Sequence, residues 1–271
     1  MGVKTTLSLE TLQTLFLHHD FRQITPTREG IIDTTYFVSS NTETFILKRF
    51  EDANPEEVLQ EQQLLRRLQQ CGLKVSQHLE SKKEWHLYTK LSGSMLKHPT
   101  PLQLQHLGKD IAKMHQCLQG TLGLQAMMTP QQRDQMLQQV KNKNYALYKS
   151  VSPLQTLELK AEVLVHGDLF RDNVLFEGNH VGIIDFIDAG SATRLFDLGV
   201  AALSFASSSR AELGLFLKAY NQNTIQKISL PVLCSAIKDA ARFYTLKRTT
   251  AGVRDYRHQQ ALLKQLRRLP C

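Results

Sequence analysis

Residues 165–176 read VHGDLFRDNVLF. A histidine, two aspartates and an asparagine stand inside a short segment bounded by apolar residues, which a buried element does not tolerate without partners. The chain continues EGNHVGIIDFIDAGSATRLFDLGVAAL through residue 203. Two β-type runs, NVLFEG and HVGIIDF, flank a Gly-containing turn and predict a hairpin. Asp168 and Asn173 then fall on the loop before the hairpin, and Asp185 ends its second strand. Pairing of the strands brings Asn173 and Asp185 side by side. Two oxygen-bearing side chains with a carboxylate five residues upstream suit magnesium carried by a nucleotide, because that ion prefers oxygen ligands and retains waters or phosphates.

Working outward, FILKRF (45–50) places Lys48 on a strand, and NPEEVLQEQQLLRRLQQCG (54–72) is a helix with Pro near its start and Gly just past its end. Val58, Leu64, Leu65 and Leu68 form its apolar stripe. The preceding TPTREGIIDTTYFVSSNTETFILKRF predicts a hairpin, Ile31 to Val38 pairing with Thr44 to Phe50 about the turn-like SSNTET. EWHLYTKLSGSM (84–95) is a strand running into a Gly-Ser turn. A small β-rich lobe over residues 1–91 is expected to end there, with a mostly helical lobe over 92–271. In the second lobe Leu104, Leu107, Ile111, Met114 and Leu118 recur at helical spacing. His115 lies at the inner edge of that helix, where a packed or hydrogen-bonded role is expected. PQQRDQMLQQVKNKN lacks a broad apolar face and predicts an exposed helix or connection.

A strand lysine, a helix glutamate, a linker, H-x-D-x-x-x-x-N and Asp-Phe after the next hairpin form, in this order, the parts a kinase needs. Each part alone is weak, since Asp and Asn also favour turns. Together they predict phosphoryl transfer, in which positioning and charge neutralisation carry most of the catalysis. Asp168 would accept the proton of the attacking hydroxyl. Asn173 and Asp185 would hold magnesium, Lys48 would meet the α and β phosphates of ATP, and Glu61 or, one turn earlier, Glu57 would pair with Lys48.

The segments HGDLFRDNVLF, GIIDFIDAG and FDLGVAAL resemble the aminoglycoside phosphotransferase and choline kinase superfamily. That resemblance implies an α+β, protein-kinase-like fold of two lobes, ATP and Mg2+ as cofactors, and a small-molecule acceptor hydroxyl. It also implies that Asp197 buttresses the catalytic loop, that His166 shapes the loop, and that the linker backbone near Thr89 and Leu91 meets adenine. His-Gly-Asp in place of His-Arg-Asp argues against protein phosphorylation. A finer resemblance is to the homoserine kinases of the superfamily, through EGIIDTTYFV, HGDLFRDNVLF and AARFYTLKR. It implies formation of O-phosphohomoserine in threonine biosynthesis. Ile32, Asp33 and Thr35 stand where those enzymes carry Glu, Asn and Asn, Gly167 stands for Ala, and Arg171 for Pro.

Homoserine is a zwitterion, so its pocket should offer a cation, Arg242 or Arg248, and an acid, Asp188. For Arg242 a structural salt bridge on its helix is the competing expectation. A polycationic aminoglycoside would favour an acidic cleft and C-terminus, against the basic LLKQLRRL near this C-terminus. Choline would favour an aromatic cage, and Trp85, the one tryptophan, sits on a small-lobe strand. A nucleotide-binding relative without catalysis would be expected to lack Asp168, Asn173 or Asp185, and all three are present.

The 271 residues carry a net charge of +8, spread rather than interleaved with aromatics, which argues against a nucleic-acid groove. No apolar run reaches the roughly 18 residues of a membrane span, and MGVKTTLSLETLQ lacks the apolar core of a signal peptide, so a cytoplasmic protein is expected. The four cysteines are scattered, without metal-ligand spacing, and reduced thiols are expected.

Overall fold

A computed structural model describes residues 3–27, 33–120, 126–153 and 162–250. The chain divides into two compact units, residues 1–92 and 93–271.

The first unit opens with helix α1 (Leu9–Leu15), whose N-cap Ser8 accepts a hydrogen bond from Thr11 N–H. Its antiparallel sheet runs β1-β2-β3-β6-β5, with β1 (Gln23–Pro26), β2 (Thr34–Ser39), β3 (Thr44–Arg49), β5 (His78–Lys82) and β6 (Trp85–Thr89). Helix α2 (Pro55–Gln70) and a two-residue strand β4 (Lys74–Val75) lie between β3 and β5. Side chains alternate across the sheet. Tyr36, Val38, Leu47, Trp85 and Leu87 pack with Leu12, Phe16 and Phe21 on one face. His86 and Tyr88 turn to the other face, where Gln62 and Glu61 of α2 meet them. Each Leu or Phe buried in this way contributes about 1.5–3 kcal/mol.

The β2–β3 hairpin is shorter than the sequence predicts. Pairing starts at Thr34↔Arg49 and ends at Ser39↔Thr44, and Ile31, Ile32 and Gly30 lie outside the described residues. Asp33 closes the ladder with its side chain, accepting Glu51 N–H at 3.2 Å. The edge strands β1 and β5 escape a pattern search because β1 does not alternate in burial, and β5 alternates with the polar His78, Glu80 and Lys82 on its more covered side. An edge also tolerates Pro26.

The second unit holds α3 (Pro101–Leu118), α4 (Pro130–Lys143), α5 (Tyr145–Val151), β7 (Val163–Val165), β8 (Val174–Glu177), β9 (His180–Ile183), β10 (Gly190–Ala192), α6 (Arg194–Ala201), α7 (Arg210–Gln222) and α8 (Leu230–Thr250). Every residue of the expected α3 stripe is buried, whereas α4 buries Val140 alone. Capping boxes start α2, α3 and α4, each followed by Pro at the first turn. Each cap stabilises its helix by about 1 kcal/mol. α6 lies close on α8, because a Cβ on Gly199 would stand 2.4 Å from Ala236 O. That close approach seats α8 over the segment after β7. The basic LLKQLRRL segment lies outside the described residues.

No described helix is long and apolar enough to cross a membrane. The expectation of reduced thiols is corrected: Cys71, Cys117 and Cys234 are disulfide-bonded. Connectivity of four scattered cysteines is not deducible from sequence, which is why the reading failed.

Candidate active site

Two short ladders set the geometry of VHGDLFRDN. β7 and β10 pair with Val165 opposite Gly190 and Val163 opposite Ala192. Continuing that register two residues brings Gly167 against Asp188. Gly167 accordingly has φ +86, and a Cβ there would stand 2.4 Å from Asp188 O. Beyond a 3₁₀ turn at Arg171–Asn173, β8 and β9 pair with Val174 opposite Ile183, and Ile184 N–H donates to Asn173 O at 3.0 Å. Asp185 follows with φ 65, a left-handed conformation that is uncommon outside glycine and concentrates at functional sites.

The loop is tied from behind by Asp197, which is fully buried. Its carboxylate accepts His166 N–H at 2.8 Å and Gly167 N–H at 3.0 Å, and His115 Nε2 lies 3.2 Å from it. His115 Nδ1 meets Tyr220 Oη at 3.1 Å, so the histidine on the inner edge of α3 is a hydrogen-bonded core residue, as expected. His166 uses both ring nitrogens. Asp168 N–H points at Nδ1 at 3.1 Å, which makes Nδ1 the acceptor and places the proton on Nε2, 2.9 Å from Ile184 O. A ring so committed shapes the loop and has no atom left for proton transfer.

Asp168 is partly buried at the front of the loop. Asn173 Nδ2 donates to its main-chain oxygen at 2.8 Å and to Oδ2 at 2.9 Å. This turns Asn173 Oδ1 to the opposite edge of the amide. Burial, then the negative charges of Asp188 and Asp172, push the Asp168 carboxyl up to about 6, against His166 and Lys247. Tyr244 of α8 donates its hydroxyl hydrogen to Gly167 O. Burial first, and Asp168, Asp188 and Asp197 next, hold that phenol well above its usual range, so it stays a donor.

A family model described as a phosphotransferase enzyme family matches residues 23–229. The chain belongs to that family. Relatives of this phosphotransferase named homoserine kinase include one from Methylobacillus glycogenes, 25% identical over 252 residues, 82% of this chain and 78% of the relative. Another, from Neisseria meningitidis, is 26% identical over 242 residues, 80% and 79% of the two chains. Among solved structures, a choline kinase from Streptococcus pneumoniae aligns with a TM-score of 0.69 at 15% identity, over 95% of this chain and 98% of that one. An amicoumacin kinase in complex with AMP-PNP and Ca2+ aligns with a TM-score of 0.68 at 18% identity, over 95% and 91%. These structures establish the fold of this phosphotransferase, α+β and protein-kinase-like, with an antiparallel sheet first and helices after it.

The remaining candidates divide by location. In the first unit of this phosphotransferase, Lys48 Nζ lies 3.2 Å from Asp33 Oδ2 and 4.5 Å from the Phe50 ring centre. Register pairs Lys48 with His86, so its side chain shares the α2 face of the sheet with Tyr88, whose hydroxyl donates to Glu61 at 2.9 Å. Glu57 closes the capping box of α2 by accepting Asn54 N–H. Thr89 N–H donates to Gln77 O at 2.9 Å.

In the second unit, Asp188 lies 3.2 Å from Lys247 Nζ, and the Arg248 guanidinium stands over the rings of Phe170 and Tyr244 at 5.3 and 5.8 Å. Arg242 goes elsewhere. It pairs with Asp239 at 3.3 Å and donates to Pro153 O, on a face of α8 that Tyr244, two residues on, does not share. Sequence reading missed Tyr244, Lys247 and Asp33. The i, i+3, i+4 spacing of Tyr244, Lys247 and Arg248 was the signal available for the first two.

Gly167→Ala is expected to lower the unfolding midpoint and the turnover number together. The left-handed backbone alone costs a non-glycine residue about 1–2 kcal/mol, and the new methyl would displace Asp188 O. Thermal melts with parallel ADP-release assays check it, and unchanged values in both would contradict the geometry.

Proposed function

We propose that this enzyme transfers the γ-phosphoryl group of ATP, with Mg2+, to the side-chain hydroxyl of L-homoserine, giving O-phosphohomoserine for threonine biosynthesis. The observation that carries the reaction is Asp168, a partly exposed carboxylate with a raised pKa, held by Asn173 on a loop whose backbone is fixed by Asp197 and His166. The acceptor hydroxyl donates its proton to Asp168 as its oxygen bonds to phosphorus, and ADP leaves with the electrons of the broken P–O bond.

Asn173 and Asp185 are the residues that would hold magnesium, which when bound neutralises the phosphate charge. The fit rests on their donors, an amide oxygen turned away from Asp168 and a carboxylate two residues past the end of the adjoining strand. No cluster of three His, Cys, Asp or Glu suited to a metal occurs among the described residues, and a nucleotide-borne ion needs none. Lys48 is assigned to the α and β phosphates. Glu61 is assigned as its carboxylate partner, because Glu57 is engaged in capping. The small unit is the nucleotide-binding lobe in this reading, with Leu91 rather than the Thr89 N–H offering backbone to adenine.

For the acceptor, the charge of Asp188 acts on Asp168 and the Arg248 guanidinium lies over Phe170, two residues along the loop, whereas Arg242 fits the structural salt bridge. The aromatic pair Phe170 and Tyr244 already faces a guanidinium, which disfavours it as a choline cage. A cytoplasmic location belongs to the same proposal, and the disulfide-bonded cysteines are the observation against it. Parallel assays of ADP release with homoserine, choline and an aminoglycoside test the acceptor. Release with homoserine is expected, and release with choline or the aminoglycoside alone would overturn it.

A further inference from the structure

Lys247 was singled out by no motif, yet it brings a cation to the catalytic loop. Tyr244 ties α8 to Gly167 O, and one turn further on Lys247 lies on the same helix face. From the opposite side, the β7–β10 register delivers Asp188 against Gly167. The two charges meet at 3.2 Å with their side chains 39% and 41% exposed. By contrast, the Arg242–Asp239 pair on another face of α8 is 23% and 7% exposed and is closed by Pro153 O.

An ion pair as open as Lys247–Asp188 adds little to folding, because water screens it. Both partners nevertheless keep surface for a further ligand, and Asp188 lies against Gly167, the residue before the carboxylate that would take the acceptor's proton. An α-amino acid carries its carboxylate and ammonium on one carbon. Laid against the pair, its carboxylate meets Lys247 and its ammonium meets Asp188, so that four alternating charges neutralise one another. Arg248 is less suited to this task, since its guanidinium already lies over two rings.

We infer that Lys247 and Asp188 form a clamp for the zwitterionic head of the acceptor, with Lys247 the residue that reads the carboxylate. The inference rests on the amino-acid kinase reading above. A hydroxyl three bonds from the α carbon projects from such a clamp toward Asp168.

The test compares wild type, Lys247→Met, Lys247→Arg and Asp188→Asn on three acceptors: homoserine, 3-aminopropan-1-ol, which lacks the carboxylate, and 4-hydroxybutanoate, which lacks the ammonium. Where an analogue turns over too slowly, its inhibition constant against homoserine replaces KM. Lys247→Met is expected to raise KM for homoserine on the order of tenfold or more, with kcat changed far less and with 3-aminopropan-1-ol handled as by wild type. Lys247→Arg should restore most of the loss. Asp188→Asn should weaken homoserine while sparing 4-hydroxybutanoate. Equal losses on all three acceptors, or a loss confined to kcat, would overturn the clamp while homoserine kinase activity stands. A wild type inert toward homoserine but active on choline would overturn the underlying reading instead. The exposure of Lys247 makes folding of its variants the expected result, and Lys247→Arg keeps the test decisive if Lys247→Met fails to fold.

Discussion

Changing Asp168 to asparagine is expected to cut turnover by about 10²–10⁴-fold, the range for losing a general base, while nucleotide binding is retained. Asparagine preserves the shape and the bond from Asn173 but cannot take a proton. The carboxyl is raised to about 6 by burial and by Asp188, so it stays protonated to higher pH than a free carboxyl and is charged above about pH 6. A base must be charged, and activity should therefore be lost as pH falls through about 6 and be complete above it. Asp188→Asn removes the second-largest upward influence and should move this acid limb to lower pH. Steady-state kinetics across pH, with nucleotide affinity by calorimetry, provide the check. An Asp168→Asn enzyme with wild-type turnover would remove Asp168 from the role of base.

The second large effect concerns folding. Asp197→Ala is expected to destabilise the second unit by roughly 3–5 kcal/mol, the cost of breaking a buried charged contact from one side. Alanine would strand the buried N–H groups of His166 and Gly167 together with His115 Nε2. For a chain of this size the unfolding midpoint should fall by about 10 °C. Asp197→Asn should fall between wild type and alanine, because its amide oxygen can still accept from one of the loop amides. Calorimetric melts decide the matter. A midpoint unmoved by Asp197→Ala would mean that the loop is held by something else.

Helices and hairpins were readable because their signals are local. The Leu104 to Leu118 stripe, and the Asn and Thr caps followed by proline, act within a few residues, and the structure repeats them. The β8–β9 hairpin around Gly178 was visible for the same reason. Local too, though overlooked, was the choice between Glu57 and Glu61. Asn54 three residues before Glu57 is a capping-box spacing, which engages Glu57 at the helix start. Other contacts were not readable at all. Lys48 meets Asp33, Lys247 meets Asp188 and Tyr244 meets Gly167 only because strand register or helix seating joins distant segments. The departures at Asp33 and Gly167 from homoserine kinase sequences gain a reason in the structure: Asp33 supplies a carboxylate 3.2 Å from Lys48, and Gly167 adopts a backbone that an alanine resists.

The anchoring of the loop by Asp197 and His166 bears on how such an enzyme can change during evolution. Residues that fix the loop are buried in the core of their unit, so drift at those positions is penalised by loss of the folded state before chemistry is at issue. Asp188, Lys247 and Arg248 sit at the rim, where substitution costs little stability. On the proposed reading, substitution at the rim could then exchange one acceptor for another while the loop that carries the proposed base stays as it is, a division between a fixed engine and a replaceable grip.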